Sequence, residues 1–175
     1  MTTNQEKRQR KNERSRFKRR SDRLLEYGDE FGKLFDSKVY LLVQSQEGDL
    51  TIYNNRSENE WPPSQSEFPG PSEHRNPQNI GQGGRRPRSK FEKKKVQLLS
   101  YANEFAHQFS AKIYFAIQCR TGYTIIYNSS SSRRWPPSKK QVKSLVPFAK
   151  RRSPQDFDGS PDLPSGNQPT QLVGL

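Results

Sequence analysis

Basic side chains recur at the spacing of one helix face in two stretches of this chain. In the first stretch Arg16, Arg19, Arg20 and Arg23 occupy positions i, i+3, i+4 and i+7. Such spacing aligns the four guanidinium groups along one side of an α-helix, where they can contact successive phosphates of a polyanion. The second stretch has Lys90, Lys93, Lys94 and Gln97 at the equivalent positions. The predicted phosphate-contacting residues of the two stretches are Arg16, Lys18, Arg19, Arg20, Arg23, Lys90, Lys93, Lys94 and Lys95.

Two short basic segments precede these stretches. Residues 8–11 read Arg-Gln-Arg-Lys, and residues 83–88 read Gly-Gly-Arg-Arg-Pro-Arg. We expect both to be flexible arms. Short basic arms suit insertion into a narrow A/T-rich minor groove, because its negative potential attracts arginine side chains. The second arm adds Arg85, Arg86 and Arg88 to the predicted contacts.

Net charge supports a polyanionic partner. The 175 residues carry a formal charge of +13, and clustered cations gain most by displacing counterions from a nucleic acid or an anionic membrane. A membrane partner is disfavoured because the longest apolar runs, such as residues 39–43, fall far short of the roughly 20 residues needed to span a bilayer. Residues 89–152 alone contain fourteen basic and two acidic residues, so we expect the second stretch to dominate affinity.

Catalysis and metal binding have no support. Cys119 is the only cysteine, and His74 and His107 are the only histidines. A zinc cluster or a general-base pair needs several such groups together. We also find no Gly-rich phosphate loop and no nucleophile with a base. The prediction is a protein without enzymatic activity, without a cofactor or metal, and without a small-molecule substrate.

The chain contains an internal repeat. Shifting the sequence by 74 residues aligns residues 15–64 with residues 89–138, and twenty of the fifty positions are identical without a gap. Each copy starts with apolar residues at helical spacing and continues with two β-rich runs around a turn at Gly48 or Gly122, which predicts a helix followed by a hairpin. The helix anchors, predicted to form the pairing surface, are Phe17, Leu24, Phe31, Phe35, Phe91, Leu98, Phe105 and Phe109.

One copy of about fifty residues is at the limit of what can bury a core unaided. We therefore predict an α+β fold in which the two copies pair as an intramolecular pseudo-dimer, with two helices on one face of a four-stranded antiparallel sheet. Ser138 begins a capping box with Gln141, so a short helix is expected after each hairpin. Trp61 and Trp135 are expected to plug the edge of the sheet.

Five segments follow from these patterns. Residues 1–14 are a basic N-terminal arm, and residues 15–68 form the first repeat. Residues 69–88, rich in Pro, Gly, Asn and Ser, are a flexible linker with a basic arm. Residues 89–150 form the second repeat, and residues 151–175 are predicted to be disordered.

Both repeats resemble the MADS box, the family of serum response factor and the plant floral regulators. The shared features are a Phe followed by a basic cluster, a Leu-Leu pair, Glu-Phe, an Asp, an apolar strand, a Gly turn and a Tyr-ending strand. In the first copy they are Phe17-Lys-Arg-Arg, Leu24-Leu25, Glu30-Phe31, Asp36, residues 39–43, Gly48 and Tyr53. The chain is more similar still to short fungal MADS-like proteins whose hairpin leads into Trp-Pro-Pro-Ser.

The resemblance implies a nuclear transcription regulator that places two antiparallel helices on A/T-rich duplex DNA. Partnership with a second copy, or with another MADS-like protein, stays open. Glu26 and Ser100 occupy positions where the family has lysine, and this departure supports an alternative, a protein-interaction module that has lost specific DNA binding. A third interpretation, RNA binding, would require exposed aromatic side chains among cations on the strands.

Overall fold

The structure is a computed structural model, and it describes residues 3–56, 61–62, 72–79, 89–145 and 150–152. The chain forms three helices and six strands within these residues. In chain order they are α1 (Asn4–Phe35), β1 (Lys38–Gln44), β2 (Leu50–Asn54), β3 (Ser72–Arg75), α2 (Lys90–Phe109), β4 (Lys112–Gln118), β5 (Thr124–Asn128), α3 (Lys139–Leu145) and β6 (Lys150–Arg152).

The predicted α+β class is confirmed, whereas the sheet is larger than predicted. Its strand order is β3-β5-β4-β1-β2-β6. The four central strands, β5, β4, β1 and β2, pair antiparallel with one another. The edge strands β3 and β6 pair in parallel with β5 and β2. The sheet is therefore mixed and six-stranded. Strand β3 follows the first repeat and pairs with the hairpin of the second repeat. Strand β6 lies at the end of the second repeat and pairs with the hairpin of the first.

Strands β1 and β4 join the two hairpins at the centre of the sheet. Their register pairs Leu41 with Phe115, which are 74 positions apart and therefore equivalent in the two repeats. Tyr40 pairs with Ala116, and Leu42 pairs with Tyr114, so the pairing is symmetric about the Leu41–Phe115 pair. Both strands are almost completely buried.

Helices α1 and α2 pack against each other on one face of the sheet, and their aromatic contacts show that they are antiparallel. Phe17, near the start of the first repeat, lies 5.2 Å from Phe105 between ring centroids. Phe91, the equivalent of Phe17, lies 5.3 Å from Phe31, the equivalent of Phe105. All eight predicted pairing residues lie in or against this core: Phe17, Leu24, Phe31, Phe35, Phe91, Leu98, Phe105 and Phe109.

A second apolar core covers the other face of the sheet. Trp61 and Trp135 are buried there together with Leu42, Ile52 and Val142. The prediction that the tryptophans plug the sheet edge is therefore wrong, because they lie on a face that needs covering. Val142 belongs to α3, which begins after Ser138. As predicted, the Ser138 hydroxyl accepts from the backbone of Gln141, and the Gln141 side chain accepts from the backbone of Ser138.

Three predicted segment boundaries are wrong. Residues 4–14 are the first part of α1 and not a flexible arm. Thr3 and Glu6 form a capping box, and the Glu, Gln, Lys and Arg that follow are good helix formers. The linker contributes β3, and β6 extends to Arg152. The rest of the predicted tail, residues 153–175, and the predicted helix after Ser64 lie outside the described residues.

Two glycines allow α1 to lie close to the sheet. A Cβ at Gly28 would be 3.2 Å from Leu41 Cδ1, and a Cβ at Gly32 would be 2.7 Å from Asn55 Nδ2. Asn55 is held in place because its amide donates to the Ser37 carbonyl and accepts from the Val39 backbone at 2.9 and 2.7 Å. The second repeat has Ala106 where the first has Gly32, and the shorter Ser129 where the first has Asn55.

We expect Gly32→Ala to destabilise the fold by about 1–3 kcal/mol, because Asn55 must move or give up its hydrogen bonds. Adding Asn55→Ser should recover about 1 kcal/mol or more, since the pair then matches the combination found in the second repeat. Urea unfolding of the wild type, both single variants and the double variant measures this coupling. Strictly additive losses would contradict the steric explanation.

No helix among the described residues is sufficiently long and apolar to cross a membrane.

Candidate nucleic-acid interface

The side of the helix pair that faces away from the sheet carries four of the predicted basic residues of α1. Leu24, Leu25, Gly28, Phe31 and Gly32 face the protein and are buried. Because an α-helix turns about 100° per residue, a group of arginines that starts at residue 16 lies on the side away from the sheet. The outer stripe of α1 is defined here as Arg16, Arg19, Arg20 and Arg23.

The outer stripe is accessible to solvent. Arg16, Arg19 and Arg23 are exposed, and Arg20 is half-buried. Within the described residues Arg16 makes no ion pair, and the Arg19 side chain donates only to the Ser15 carbonyl. Lys18 lies on another side of the helix, where it lines a shallow depression with Lys7, Lys11 and Arg14. The structure therefore separates Lys18 from the four arginines next to it in sequence.

The lysines of α2 have three different environments. Lys90 and Lys93 are exposed and make no ion pair within the described part of the chain. Lys94 donates to Glu30 of α1 at 3.0 Å. Lys95 is buried, with only 10% of its side chain exposed, and binds Glu73 and Glu92 at 3.2 and 3.0 Å. Lys95 is therefore not available to a phosphate, and the expected excess of cations on the second helix is reduced.

Two tyrosines lie at the middle of the seam between the helices. Tyr27 and Tyr101 are equivalent residues, and their rings meet edge to face at 5.1 Å. The guanidinium of Arg23 lies 5.0 Å from the centre of the Tyr27 ring, and that of Arg20 lies 5.7 Å from the centre of the Tyr101 ring. These cation–π contacts hold both arginines against the seam. Burial raises the pKa of Tyr101, so its phenol stays neutral.

Carboxylates limit the positive charge toward the C-terminal half of α1. Glu26 accepts from Arg23 at 3.0 Å, and Glu30 accepts from Lys94. Hydrogen bonds to Tyr27 and Glu26 raise the pKa of Arg23, which keeps its charge. The exposed cations are thus concentrated in the first turns of each repeat helix. Because the helices are antiparallel, these turns lie at opposite ends of the outer face.

Glu73, the half-buried partner of Lys95, anchors the edge strand β3. Glu73 accepts from Lys95, Arg75 and the Tyr123 hydroxyl. Burial alone would raise the pKa of Glu73, but these donors outweigh it and lower the pKa below its ordinary value. The carboxylate is therefore charged in the folded state, and the cluster joins β3 to α2 and to the turn before β5.

We expect Glu73→Gln to destabilise the fold by about 2 kcal/mol at pH 7, because Lys95 and Tyr123 lose a charged acceptor. A lowered folded pKa means that this stabilisation is present above the unfolded pKa and is lost as pH falls through the folded pKa. Thermal unfolding of both proteins from pH 7 to pH 3 should show the difference shrinking in acid. A difference that does not change with pH would contradict this role of Glu73.

Other cations lie away from this face. Arg133, Arg134, Lys139 and Lys140 are exposed around Trp135 and α3, on the side of the sheet opposite to α1 and α2. Arg85, Arg86 and Arg88 lie outside the described residues. Sequence reasoning missed the polar residues before Arg16 that share the outer side of α1, because residues 1–14 were interpreted as an arm. The Thr3–Glu6 capping box was the signal that could have revealed them.

Comparison of the chain with known protein families, with curated proteins and with solved structures found no match.

Proposed function

We propose that this protein is a nuclear DNA-binding transcription regulator of MADS-box type, which contacts A/T-rich duplex DNA through the outward side of its two helices. The observation that carries the proposal is the accessible outer stripe on α1, together with Lys90 and Lys93 on the antiparallel α2. These cations project from rigid helices on one side of the molecule. Such a surface suits phosphate contacts along a duplex.

The pseudo-dimer interpretation is part of this proposal. Equivalent residues oppose each other at the centre of the sheet, Leu41 with Phe115, and at the centre of the helix seam, Tyr27 with Tyr101. Two symmetry-related aromatic pairs lie on either side of that seam. These contacts support an approximate twofold relation between the repeats, which matches the local twofold symmetry of a duplex backbone.

Duplex DNA is favoured over single-stranded RNA by the burial of the strands. A single-strand platform needs exposed aromatic rings on which bases can stack. The described strand aromatics, which are Tyr40, Tyr53, Tyr114, Phe115 and Tyr127, are all buried. The accessible cations lie on helices, where they can follow a duplex backbone.

A protein-interaction module that has lost DNA binding is the rival function. The Arg23–Glu26 and Lys94–Glu30 pairs favour it, because paired cations contribute less to a phosphate surface. Arg16, Arg19, Lys90 and Lys93 favour DNA binding, since they are exposed and have no carboxylate partner within the described residues. The two functions differ in whether any duplex is bound at low salt.

A fluorescence-anisotropy titration with random-sequence duplexes at several salt concentrations tests the proposal. We expect binding at low salt that weakens steeply as salt increases, because each neutralised phosphate adds about 0.9 to the slope of log affinity against log salt. Failure to bind any duplex at low salt would leave the interaction module. An equally strong preference for single-stranded RNA would favour the third interpretation.

A further inference from the structure

The first repeat helix has an extension that the second repeat lacks. Helix α2 begins after its N-cap Ser89, and Ser15 is the equivalent position in the first repeat. Helix α1 instead begins at Asn4. The extra eleven residues, 4–14, are called the extension here, and at about 1.5 Å per residue they are roughly 16 Å long.

The extension has no apolar side with which to pack against protein. All its side chains are exposed, and its sequence Asn-Gln-Glu-Lys-Arg-Gln-Arg-Lys-Asn-Glu-Arg contains no apolar residue. Its last turn is tied to the β1–β2 turn by the Arg14–Glu47 ion pair at 3.3 Å. A helix that is polar on all sides gains little from an apolar partner. Its composition therefore matches a polar, negatively charged partner.

The sides of the extension differ in chemistry. At 100° per residue, Gln5, Gln9 and Asn12 lie on the line that continues through Arg16 and the outer stripe. Lys7 and Lys11 lie on the opposite side, near the depression that includes Lys18. Glu6 and Glu13 lie to one flank, where Glu13 accepts from Gln9 at 3.3 Å. The outer side of the extension, together with Arg16 directly after it, thus presents amides and an arginine and no carboxylate.

Amide and guanidinium side chains are the groups that recognise purines in the major groove. Asn and Gln can make paired hydrogen bonds to adenine N6 and N7, and Arg can make them to guanine O6 and N7. A helix about 10–12 Å wide fits the major groove, about 12 Å across, and not the minor groove, about 6 Å across. Because the extension is helical, it cannot enter the minor groove as the predicted flexible arm would.

We infer that the extension and the adjoining Arg16 form a base-reading helix, in which Gln9, Asn12 and Arg16 contact purine edges in the major groove of duplex DNA. This inference rests on the proposed DNA-binding function. The extension occurs at one end of the helix pair only. Base selection therefore extends beyond the A/T-rich centre of the DNA site on one side only. The length of the extension corresponds to about five base pairs at about 3.4 Å each.

The test uses the full chain, with duplexes selected from a pool whose sequence is random on both sides of an A/T-rich centre. For the wild type we expect selected purines on one side only. The Gln9→Ala/Asn12→Ala variant should lose discrimination between selected and random flanks by about tenfold or more, while keeping its affinity for random duplexes. The matched control, Lys7→Ala/Lys11→Ala, changes the opposite side of the same turns and should keep the discrimination.

Replacing the selected purines with their 7-deaza analogues removes the N7 acceptor from the major groove and leaves the minor groove unchanged. This substitution should weaken the wild type and have little effect on Gln9→Ala/Asn12→Ala. Circular dichroism should show equal helix content in all three proteins. An equal 7-deaza effect in wild type and variant, or a wild type that selects no flanking base, would overturn the inference while duplex binding stands. Absence of binding to any duplex would instead refute the proposed function.

Discussion

Replacing Arg19, Lys90 and Lys93 with alanine should reduce affinity for duplex DNA by about 10²- to 10³-fold at 0.1 M salt and lower the salt slope by nearly 3. Each phosphate contact contributes about 0.9 to that slope, so the loss of one contact should lower the affinity for DNA nearly tenfold at 0.1 M salt. All three residues are exposed on the outer side of the helix pair, and none has a carboxylate partner within the described residues. Fluorescence anisotropy over a range of salt concentrations measures both quantities.

The matched control for this prediction is Arg133→Ala/Arg134→Ala/Lys139→Ala. It removes the same charge from exposed positions on the opposite side of the sheet, so it changes net charge without changing the proposed interface. We expect its salt slope to equal that of the wild type. Equal losses in the two triple variants would mean that binding follows net charge, and the outer side of the helix pair would lose its assigned role.

The second large effect concerns the pairing of the repeats. Phe31→Ala should destabilise the chain by about 3–5 kcal/mol, because a fully buried aromatic ring is removed from a packed core. The Phe31 side chain is 1% exposed and contacts Phe91 of the other repeat. Phe105→Ala, its equivalent in the second repeat, should have a loss of similar size. Urea unfolding followed by circular dichroism and by tryptophan fluorescence measures both.

Pairing within one chain also predicts how unfolding depends on protein concentration. Both probes should report a single transition, because each helix completes the core of the other repeat. The midpoint should not move with protein concentration, whereas pairing between chains would make it do so. Leu34→Ala, at an exposed residue of α1, is the control and should change stability little. Two separate transitions for the two repeats would contradict the pseudo-dimer.

Much of the local structure was predictable, because its causes are local. The helix anchors follow helical spacing, and all of them lie in or against the core. Gly48 and Gly122 have positive φ angles in the two hairpin turns, which glycine adopts readily. The outer stripe on α1 was also predictable, because exposure of one helix side follows from burial of the other. The α+β class followed from these elements.

The predictions failed where a segment's structure depends on a distant partner. Ser72–Arg75 lacks apolar alternation, yet it forms β3 because β5 offers an open edge and Glu73 meets Lys95 and Tyr123. In the sequence Lys95 cannot be distinguished from Lys93 and Lys94, but its position on the helix directs its side chain toward the interior of the protein. Trp61 and Trp135 were placed at an edge, because the sequence does not reveal that the second face of the sheet is covered.

The sequence by itself determined the repeat, the type of each main element, the turns and the positions of the cations along each helix. These properties depend on residues within a few positions of one another, through helical period, β-propensity and turn geometry. Only the tertiary structure decided which cations remain accessible and how the edge strands are exchanged between the repeats. Accessibility and strand exchange depend on contacts between residues far apart in the chain. The start of α1, in contrast, has a local cause, because the Thr3–Glu6 capping box and the helix-forming residues after it lie next to one another in the sequence.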